Sequence, residues 1–215
     1  MDELGEFVAA RGRRVNVGTG QVLFHEGDAS KSVYACVTGR VNIVINTPTG
    51  RELLLGMKTP TQAFGELSAI DGGRRSASAI AMEPSTVSQM SSDDFLDELA
   101  QAPRLALVVL RELSGHLRML NARVSARTSE NTTERVAHLL IELSTKFRRH
   151  GVEEGRSELP ITQDEVAAWV GSTREAAARS LASLRKCGVI ETGRHKIIVC
   201  DESSLVELAS QAANH

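Results

Sequence analysis

The sequence has little of what metal centres and disulfide frameworks are built from. It contains three cysteines in 215 residues, Cys36, Cys187 and Cys200, and none of them stands in a CxxC or Cys/His pattern. This scatter argues against a zinc site, an iron–sulfur cluster and a disulfide framework. The six histidines show no metal-ligand spacing either. We therefore expect reduced, mostly structural thiols, and neither a metal nor a cofactor.

Long apolar runs are also missing. The longest is far shorter than the roughly 20 residues that a membrane-spanning helix needs. The start MDELGEF lacks the basic and apolar regions of a secretory signal. We expect a cytoplasmic protein without a membrane partner. Because no Ser/His/Asp set, metal cluster or Walker loop is present, the sequence gives little support to an enzyme.

The composition is otherwise that of a globular protein, with 41% hydrophobic and 24% charged residues, and the length suits two modest domains. Since the net charge of -2 is not basic, any argument for nucleic acid has to rest on local charge. One such region lies between Gly171 and Cys200, where the acids are Glu175 and Glu191. Its cations are Arg174, Arg179, Arg185, Lys186, Arg194 and Lys196.

Short apolar runs between glycines fill the first hundred residues. Short strands at regular spacing with turn signals are typical of an antiparallel sandwich or barrel. The spacing does not distinguish a roll from a sandwich. The runs are Val15–Val17, Val22–Phe24, Val33–Val37, Val41–Ile45, Leu53–Met57, Ser76–Met82 and Thr86–Met90.

Helical signals begin near Ser92. Residues Ser91 to Asp94 can cap a short helix through Ala100, and Pro103 suits the first turn of a longer one. In the longer helix an apolar stripe alternates spacings of four and three, which predicts a seam between two helices. The stripe consists of Ala106, Leu110, Leu113, Leu117, Leu120 and Val124.

A second apolar face on this helix is formed by Leu105, Val108 and Val109. The helix could simply dock on its own domain. Because both faces are apolar, we favour a helix held by its own domain on one side and by a partner helix on the other. The polar stretch Ser125 to Thr133 predicts a hinge between domains, and Arg148 to Glu158 predicts an exposed loop.

The segment PITQDEVAAWVGSTREAAARSLASLRKCGVI predicts two helices joined by a short turn. Thr162 and Glu165 have capping-box spacing, and Gly171 lies in the turn. Ser172 or Thr173 caps the second helix. The residues expected to face inward on that helix are Ala177, Leu181 and Leu184.

The exposed N-terminal end of the second helix carries Arg174, Glu175 and Arg179. In such motifs this end enters the major groove, where Arg can donate two hydrogen bonds to guanine and Glu can accept one from cytosine. Cap hydroxyls and backbone N–H groups can hold phosphates. Alternatively, Glu175 and Arg179 form a solvated ion pair, or Glu175 is the capping partner of Ser172. The expected DNA contacts are Thr162, Gln163, Ser172, Thr173, Arg174, Glu175 and Arg179.

A β-hairpin is predicted directly after the second helix. Val189–Thr192 and Lys196–Val199 alternate on either side of Gly193. A wing beside two paired helices favours the DNA-reading interpretation over the ion-pair alternative. Trp169 is expected to pack within the DNA-binding domain.

These residues resemble the cyclic-AMP receptor protein/FNR family over nearly the whole chain. The recognition helix of that family begins Arg-Glu-x-x-x-Arg and reads a half-site containing GTGA. Arg174, Glu175 and Arg179 occupy those three places.

The resemblance implies an α+β fold. It places an N-terminal antiparallel β-roll, a double-stranded β-helix of the cyclic-nucleotide-binding type, in residues 1–101. A long dimerisation helix and hinge follow in residues 102–131, and a C-terminal winged helix-turn-helix in residues 132–215. The implied partners are double-stranded DNA, a cyclic nucleotide, RNA polymerase and a second copy of the chain. The expected dimer interface consists of Leu110, Leu113, Leu117, Leu120 and Val124.

The stretch FGELSAIDGGRRSASA is similar to the family's phosphate-binding cassette. A cyclic phosphodiester suits the guanidinium of Arg75, the hydroxyl of Ser76 and N–H groups exposed at Gly65. The resemblance assigns the ribose 2′-hydroxyl to Glu66. The alternative is a plain turn in which Arg75 and Glu66 pair with each other. The matching positions are Gly65, Glu66, Leu67, Ser68, Arg75, Ser76 and Ala77.

A third contact of the family, from the dimer helix to adenine, falls on Leu120 and Asn121. The family has a Thr followed by a small polar residue here. Asn121 can offer its amide to a purine edge, whereas Leu120 cannot donate a hydrogen bond. Leu120 is more simply a seam residue, and for Asn121 an adenine contact and a solvated position remain open.

We therefore predict a dimeric, non-enzymatic transcription regulator in which a cyclic nucleotide, cyclic AMP before others, favours one arrangement of the dimer. Two alternatives remain. One is a regulator that responds to another effector or to none, such as a heme, redox or oxoacid sensor. The other is a cyclic-nucleotide-binding subunit that controls an enzyme, which would have no use for the wing.

Overall fold

The computed structural model describes residues 3–48, 50, 52–129, 131–147 and 156–210, without the side chains of 126–129 and 210. These residues form two compact units that divide between Arg118 and Met119. Helix α4 (Pro103–Ser129) crosses that division. Among the helices in the described ranges, none combines the length and the apolar character needed to cross a bilayer.

The strands of the first unit form two antiparallel sheets, with the orders β1-β8-β3-β6 and β2-β7-β4-β5. Each of the seven predicted apolar runs contributes a strand, so the prediction of an antiparallel β-domain is confirmed. The short β6 had no predicted run. The strands are β1 (Arg13–Val17), β2 (Val22–Phe24), β3 (Ser32–Thr38), β4 (Val41–Asn46), β5 (Glu52–Lys58), β6 (Ala63–Phe64), β7 (Ser78–Ala81) and β8 (Ser85–Ser91).

The two sheets share an apolar core. Tyr34 and Phe64 from one sheet lie in the same buried cluster as Val41 and Ala79 from the other. Strand β3 is buried over five consecutive residues, because helices cover the face that points away from this core. This explains why its sequence is a continuous apolar run rather than an alternating one.

Three further helices belong to the first unit: α1 (Glu3–Arg11), α2 (Leu67–Ile70) and α3 (Ser92–Gln101). The hydroxyl of Ser91 accepts a hydrogen bond from the N–H of Asp94, which confirms the predicted cap of α3. A second core joins α1, α3, β3 and the first turns of α4. The predicted docking face of α4 is confirmed, since all three of its residues pack in that core: Leu105, Val108 and Val109.

After α4, the described part of the second unit contains four helices and a small sheet. The sheet has the order β10-β11-β9, and its β10–β11 hairpin is the predicted wing. Helix α6 packs against both α5 and α7. The elements are α5 (Thr132–Phe147), β9 (Ser157–Leu159), α6 (Gln163–Val170), α7 (Arg174–Lys186), β10 (Ile190–Gly193), β11 (Lys196–Val199) and a final helix, α8 (Glu202–Ser210).

The predicted hinge at Ser125 to Thr133 contains the connection between α4 and α5, since α4 continues to Ser129 and α5 begins at Thr132. That the domains hinge there stays a prediction. One predicted boundary is wrong. The predicted loop Arg148 to Glu158 ends in β9, where Glu158 pairs with Ile198. Its first part, 148–155, lies outside the described residues.

Candidate effector site and DNA interface

The stretch that resembles a phosphate-binding cassette runs from β6 to β7 and includes α2. Gly65 has a φ of 81°, in the left-handed region that favours glycine. A Cβ built at this position would lie 2.7 Å from Nη1 of Arg75. Glycine is therefore needed here both for the backbone conformation and for the close approach of the arginine.

Arg75 lies at the centre of the cassette and is 4% exposed. Its Nη1 donates hydrogen bonds to the carbonyl oxygen of Gly65 at 2.6 Å and to the hydroxyl of Ser68 at 3.0 Å. Its Nη2 donates to the carbonyl oxygen of Ser32 in β3. These acceptors tie both ends of the cassette to β3. The structure therefore does not have the pairing of Arg75 with Glu66 that was an alternative at the sequence level.

Aromatic rings surround the Arg75 guanidinium. Its Cζ lies 4.1 Å from the ring centroid of Phe24 and 5.8 Å from that of Tyr34. Burial lowers the pKa of Arg75, while Tyr34 and the carboxylate of Glu66 oppose this effect. Its Nε is buried and has no hydrogen-bond partner in the described part of the chain. The cassette thus holds a desolvated cation with one donor nitrogen, Nε, that has no partner among the described residues.

The other cassette residues differ in their access to solvent. Glu66, Ser68 and Ala77 are buried, whereas Leu67 and Ser76 are exposed. Ser76 is accessible to solvent, whereas little of Glu66 is. All seven predicted residues lie on the connection between β6 and β7, but they differ in their exposure to solvent.

Four of the five residues predicted for a dimer seam are exposed on α4 in the single chain. The exposed fractions are 57% for Leu110, 60% for Leu117, 44% for Leu120 and 65% for Val124. Leu113 is half-buried and packs against the core of the first unit. A row of exposed large apolar side chains on one helix is typical of a contact surface.

Leu120 and Asn121, the expected adenine contacts, are both exposed on α4. The amide of Asn121 offers a donor and an acceptor to a ligand, and Leu120 offers neither. Both side chains are accessible to a second molecule.

Threonine hydroxyls begin both helices of the predicted helix-turn-helix. The hydroxyl of Thr162 accepts from the Glu165 N–H at 3.2 Å, and the Glu165 carboxylate accepts from the Thr162 N–H at 2.8 Å, which confirms the capping box. Gly171, at a φ of 63°, ends α6. Of the two candidate caps for α7, the hydroxyl of Thr173 accepts from the N–H of Ala176 at 3.2 Å.

The first turns of α7 present the predicted reading residues to solvent. Arg174, Glu175 and Arg179 are all exposed. Hydrogen bonds from the backbone N–H of Glu175 and from the Thr173 hydroxyl lower the pKa of Glu175. The face expected to point inward is buried, and it consists of Ala177, Leu181 and Leu184.

One partner of these residues was not predicted. The Nε of Arg174 lies 2.8 Å from Oδ1 of Asp164, in the second position of α6. Asp164 and its neighbour Gln163 are both exposed. The sequence carries no local signal for this pair, because the two residues lie on different helices and meet only in the folded unit.

Further cations lie on the last turn of α7 and in the wing. Arg185 and Lys186 of α7 and Arg194 of the wing are exposed, so much of the predicted basic region is accessible. Lys196 is less available, since its Nζ lies 2.9 Å from a carboxylate oxygen of Glu158 in β9. In the described part of the chain, no group of three or more His, Cys, Asp or Glu residues is placed to hold a metal ion.

The two halves of the chain match two protein families. Residues 14–102 match the cyclic nucleotide-binding domain, and residues 134–208 match the Crp-like helix-turn-helix domain. Together with the capped helix pair and its wing, these matches define a DNA-binding transcription regulator that carries a cyclic nucleotide-binding domain.

Similar proteins agree over almost the full length. The CRP-like cAMP-activated global transcriptional regulator of Mycobacterium tuberculosis is 31% identical over 91% of this chain and 87% of its own length. The Cyclic AMP receptor protein of Thermus thermophilus is 29% identical over 88% and 85%. A crystal structure of a CRP/FNR-family transcriptional regulator from Thermus thermophilus has a TM-score of 0.74 and 27% identity, over 93% of this chain and all of that one. The chain belongs to the CRP/FNR family.

Membership confirms the predicted fold class and the prediction of a regulator rather than an enzyme, because the Mycobacterium relative and the Thermus crystal structure are both named as transcriptional regulators. The alternative interpretation, a subunit that controls an enzyme, loses its support because the second half of the chain matches a Crp-like helix-turn-helix domain.

Proposed function

We propose that the chain is a homodimeric regulator that binds a cyclic nucleotide, cyclic AMP before others, in the cassette between β6 and β7. The bound dimer then reads a palindrome with GTGA-containing half-sites. The domain limits suggested by the sequence, 1–101, 102–131 and 132–215, are part of this proposal. RNA polymerase is the protein partner that we propose for the regulator when it is bound at a promoter.

The buried guanidinium of Arg75 is the observation that carries the effector proposal. A charged group in an apolar and aromatic interior is costly unless all of its donors are used. The Nε of Arg75 has no acceptor among the described residues, and a phosphate oxygen is the acceptor that a guanidinium suits best. Ser76 and the backbone at Gly65 supply further donors on the same connection.

Two relatives support cyclic AMP in particular, because their names contain cAMP or cyclic AMP. Leu120 favours the alternative of a different effector, since it removes a hydrogen bond that the family resemblance assigns to adenine. The two possibilities differ in a measurable way. Calorimetry with cyclic AMP and cyclic GMP separates a cyclic AMP sensor from one that does not distinguish the purines.

The effector test compares the wild type with Arg75→Gln and with Arg74→Gln, whose parent residue is an exposed neighbour. We expect cyclic AMP to raise the melting temperature of the wild type and of Arg74→Gln, and to have no effect on Arg75→Gln. Binding that stabilises the folded state must raise the melting temperature in this way. If millimolar cyclic AMP changes neither the melting temperature nor DNA binding of the wild type, the effector proposal is wrong.

The dimer proposal rests on the exposed residues of α4. We expect Leu117→Glu to give a monomer by light scattering, because a carboxylate would be buried in an apolar seam. Val206→Glu is a matched control, since Val206 is also an exposed apolar residue but lies on α8. A monomeric wild type, or a dimeric Leu117→Glu variant, would contradict this interface.

The DNA proposal rests on the exposed Arg174, Glu175 and Arg179. We expect Arg174→Ala to relax the preference at one base pair of each half-site, by about 1–3 kcal/mol. A competition assay with single-base variants of the palindrome measures this. Uniform weakening on all sequences would instead make Arg174 a phosphate contact.

A further inference from the structure

Arg123 lies on the part of α4 that belongs to the second unit, and it faces that unit's own interior. Its Cζ is 4.6 Å from the ring centroid of Trp169 in α6. Its Nη2 is 3.5 Å from Oε1 of Glu142 in α5, and its side chain is 21% exposed. Trp169 is 7% exposed. One side chain of α4 therefore contacts two helices of the DNA-binding unit.

The chemistry of this contact makes it stronger than an ordinary surface ion pair. Trp is the aromatic ring that binds cations best, and the attraction grows as the cation loses water. Burial of Trp169 and partial burial of Arg123 provide that desolvation. The Glu142 carboxylate adds an opposite charge close to the guanidinium. We call Arg123, Trp169 and Glu142 the α4 clasp.

Within the α4 clasp, Arg123 lies on α4 close to the connection between α4 and α5. Helix α4 ends at Ser129 and α5 begins at Thr132, so a small change of backbone angles there would swing α5 and α6 relative to α4. Contacts on both α5 and α6 restrict this rotation. Because α6 packs on α7, they also fix the direction of the reading helix relative to α4.

We infer that Arg123 is a positioning residue that sets the spacing of the two reading helices in the dimer. This inference rests on the proposed function, since it needs the seam on α4. The dimer seam would fix α4 of one protomer against that of its partner, and the α4 clasp fixes each reading helix to its own α4. Half-sites one helical turn apart, about 34 Å, are recognised only if that spacing is held.

The alternative is that Arg123 only stabilises the fold of the second unit. Loss of stability would weaken DNA binding on every site alike, whereas loss of spacing would weaken discrimination between sites. The preference between two palindromes whose half-sites differ in separation by one base pair therefore distinguishes the two roles.

The test uses the full-length chain with four variants: Arg123→Met, Arg123→Lys, Glu142→Gln and Arg111→Met. Arg111 is an exposed arginine on the same helix and serves as the control. We expect Arg123→Met to prefer the better-spaced palindrome about tenfold less than the wild type does. One desolvated cation–π contact can contribute a difference of this size. Arg123→Lys, which keeps the cation, should restore part of the preference, and Glu142→Gln should lose less than Arg123→Met. Arg111→Met should match the wild type.

The inference is overturned if Arg123→Met keeps the wild-type spacing preference, or if it weakens both palindromes by the same factor. It is also overturned if Arg111→Met has the same effect as Arg123→Met.

A second readout does not need DNA. Trp169 is the only tryptophan of the chain, so time-resolved fluorescence anisotropy reports on α6 alone. We expect Arg123→Met to add a nanosecond component of motion that the wild type and Arg111→Met lack. If the wild type binds neither palindrome, the proposed function fails, and the anisotropy decay then tests only whether Arg123 restrains α6. An unchanged anisotropy decay in Arg123→Met would then overturn this role of Arg123.

Discussion

The Nε of Arg174 lies 2.8 Å from Oδ1 of Asp164, so an acid of α6 holds the first candidate reading residue of α7. Both side chains are more than half exposed, at 73% and 60%. Such a pair contributes about 0–1 kcal/mol to stability. Under the proposed function, this pair affects DNA binding rather than stability, because Asp164 orients Arg174 and places a negative charge where DNA phosphates would approach.

From this pair we predict that Asp164→Asn increases affinity for DNA of any sequence and decreases discrimination. Removal of the acid reduces repulsion of the phosphates, and it releases Arg174 to contact them. Non-specific binding measured at several salt concentrations should be tighter than in the wild type. The control Asp93→Asn, in the first turn of α3, should leave it unchanged. Unchanged non-specific affinity in Asp164→Asn would contradict this role.

A second prediction concerns Glu175, whose pKa is lowered first by its own backbone N–H and then by the hydroxyl of Thr173. A lowered pKa means that the carboxylate stays ionised to lower pH than an ordinary glutamate. Its contribution to stability is present above the ordinary pKa and is lost as the pH falls through the lowered one. We expect Thr173→Ala to move the titration midpoint of Glu175 upward, and Thr173→Ser to keep it. Carboxyl NMR titration measures both, and equal midpoints in all three proteins would contradict the assignment.

A third prediction concerns Gly65, where a Cβ would lie 2.7 Å from Nη1 of Arg75. Gly65→Ala combines the cost of a left-handed backbone with displacement of the buried guanidinium, and we expect a loss of about 2–4 kcal/mol. Gly20→Ala is the matched control, because Gly20 has a similar φ of 76° with no atom within 4 Å of its Cβ position. It should lose only about 1–2 kcal/mol. Chemical denaturation gives both values, and equal losses would show that Arg75 is not crowded.

The elements that the sequence predicted correctly are those with short-range signals. The apolar runs of the strands, the capping box at Thr162 and the alternation around Gly193 each lie within a few residues. Such patterns follow directly from side-chain periodicity and from backbone hydrogen bonding. The predicted loop Arg148 to Glu158 is wrong at its end for the opposite reason, since Glu158 pairs with Ile198 in a distant part of the chain and such a pairing has no local signal.

The contacts that the sequence did not predict join distant positions. Arg75 donates to the carbonyl oxygen of Ser32, 43 residues earlier. Because every residue has a backbone carbonyl oxygen, the sequence does not show which one will accept this hydrogen bond. Arg123 meets Trp169 only because α4 and α6 come together in the folded unit. The cassette motif therefore predicted which residues would gather, but not that Arg75 would already be bonded within the chain.

The last prediction concerns the three thiols, which differ in burial. Cys187 is exposed, Cys200 is half-buried and Cys36 is fully buried. Burial raises the pKa of Cys200, and the nearby carboxylate of Glu191 raises it further. Because the thiolate is the reactive form, we expect iodoacetamide at neutral pH to label Cys187 first, Cys200 slowly and Cys36 only after unfolding. Glu191→Gln should speed the labelling of Cys200, with Glu207→Gln on α8 as the control. Mass spectrometry of the separate peptides measures each rate, and labelling of Cys36 as fast as Cys187 in the folded protein would contradict the described core.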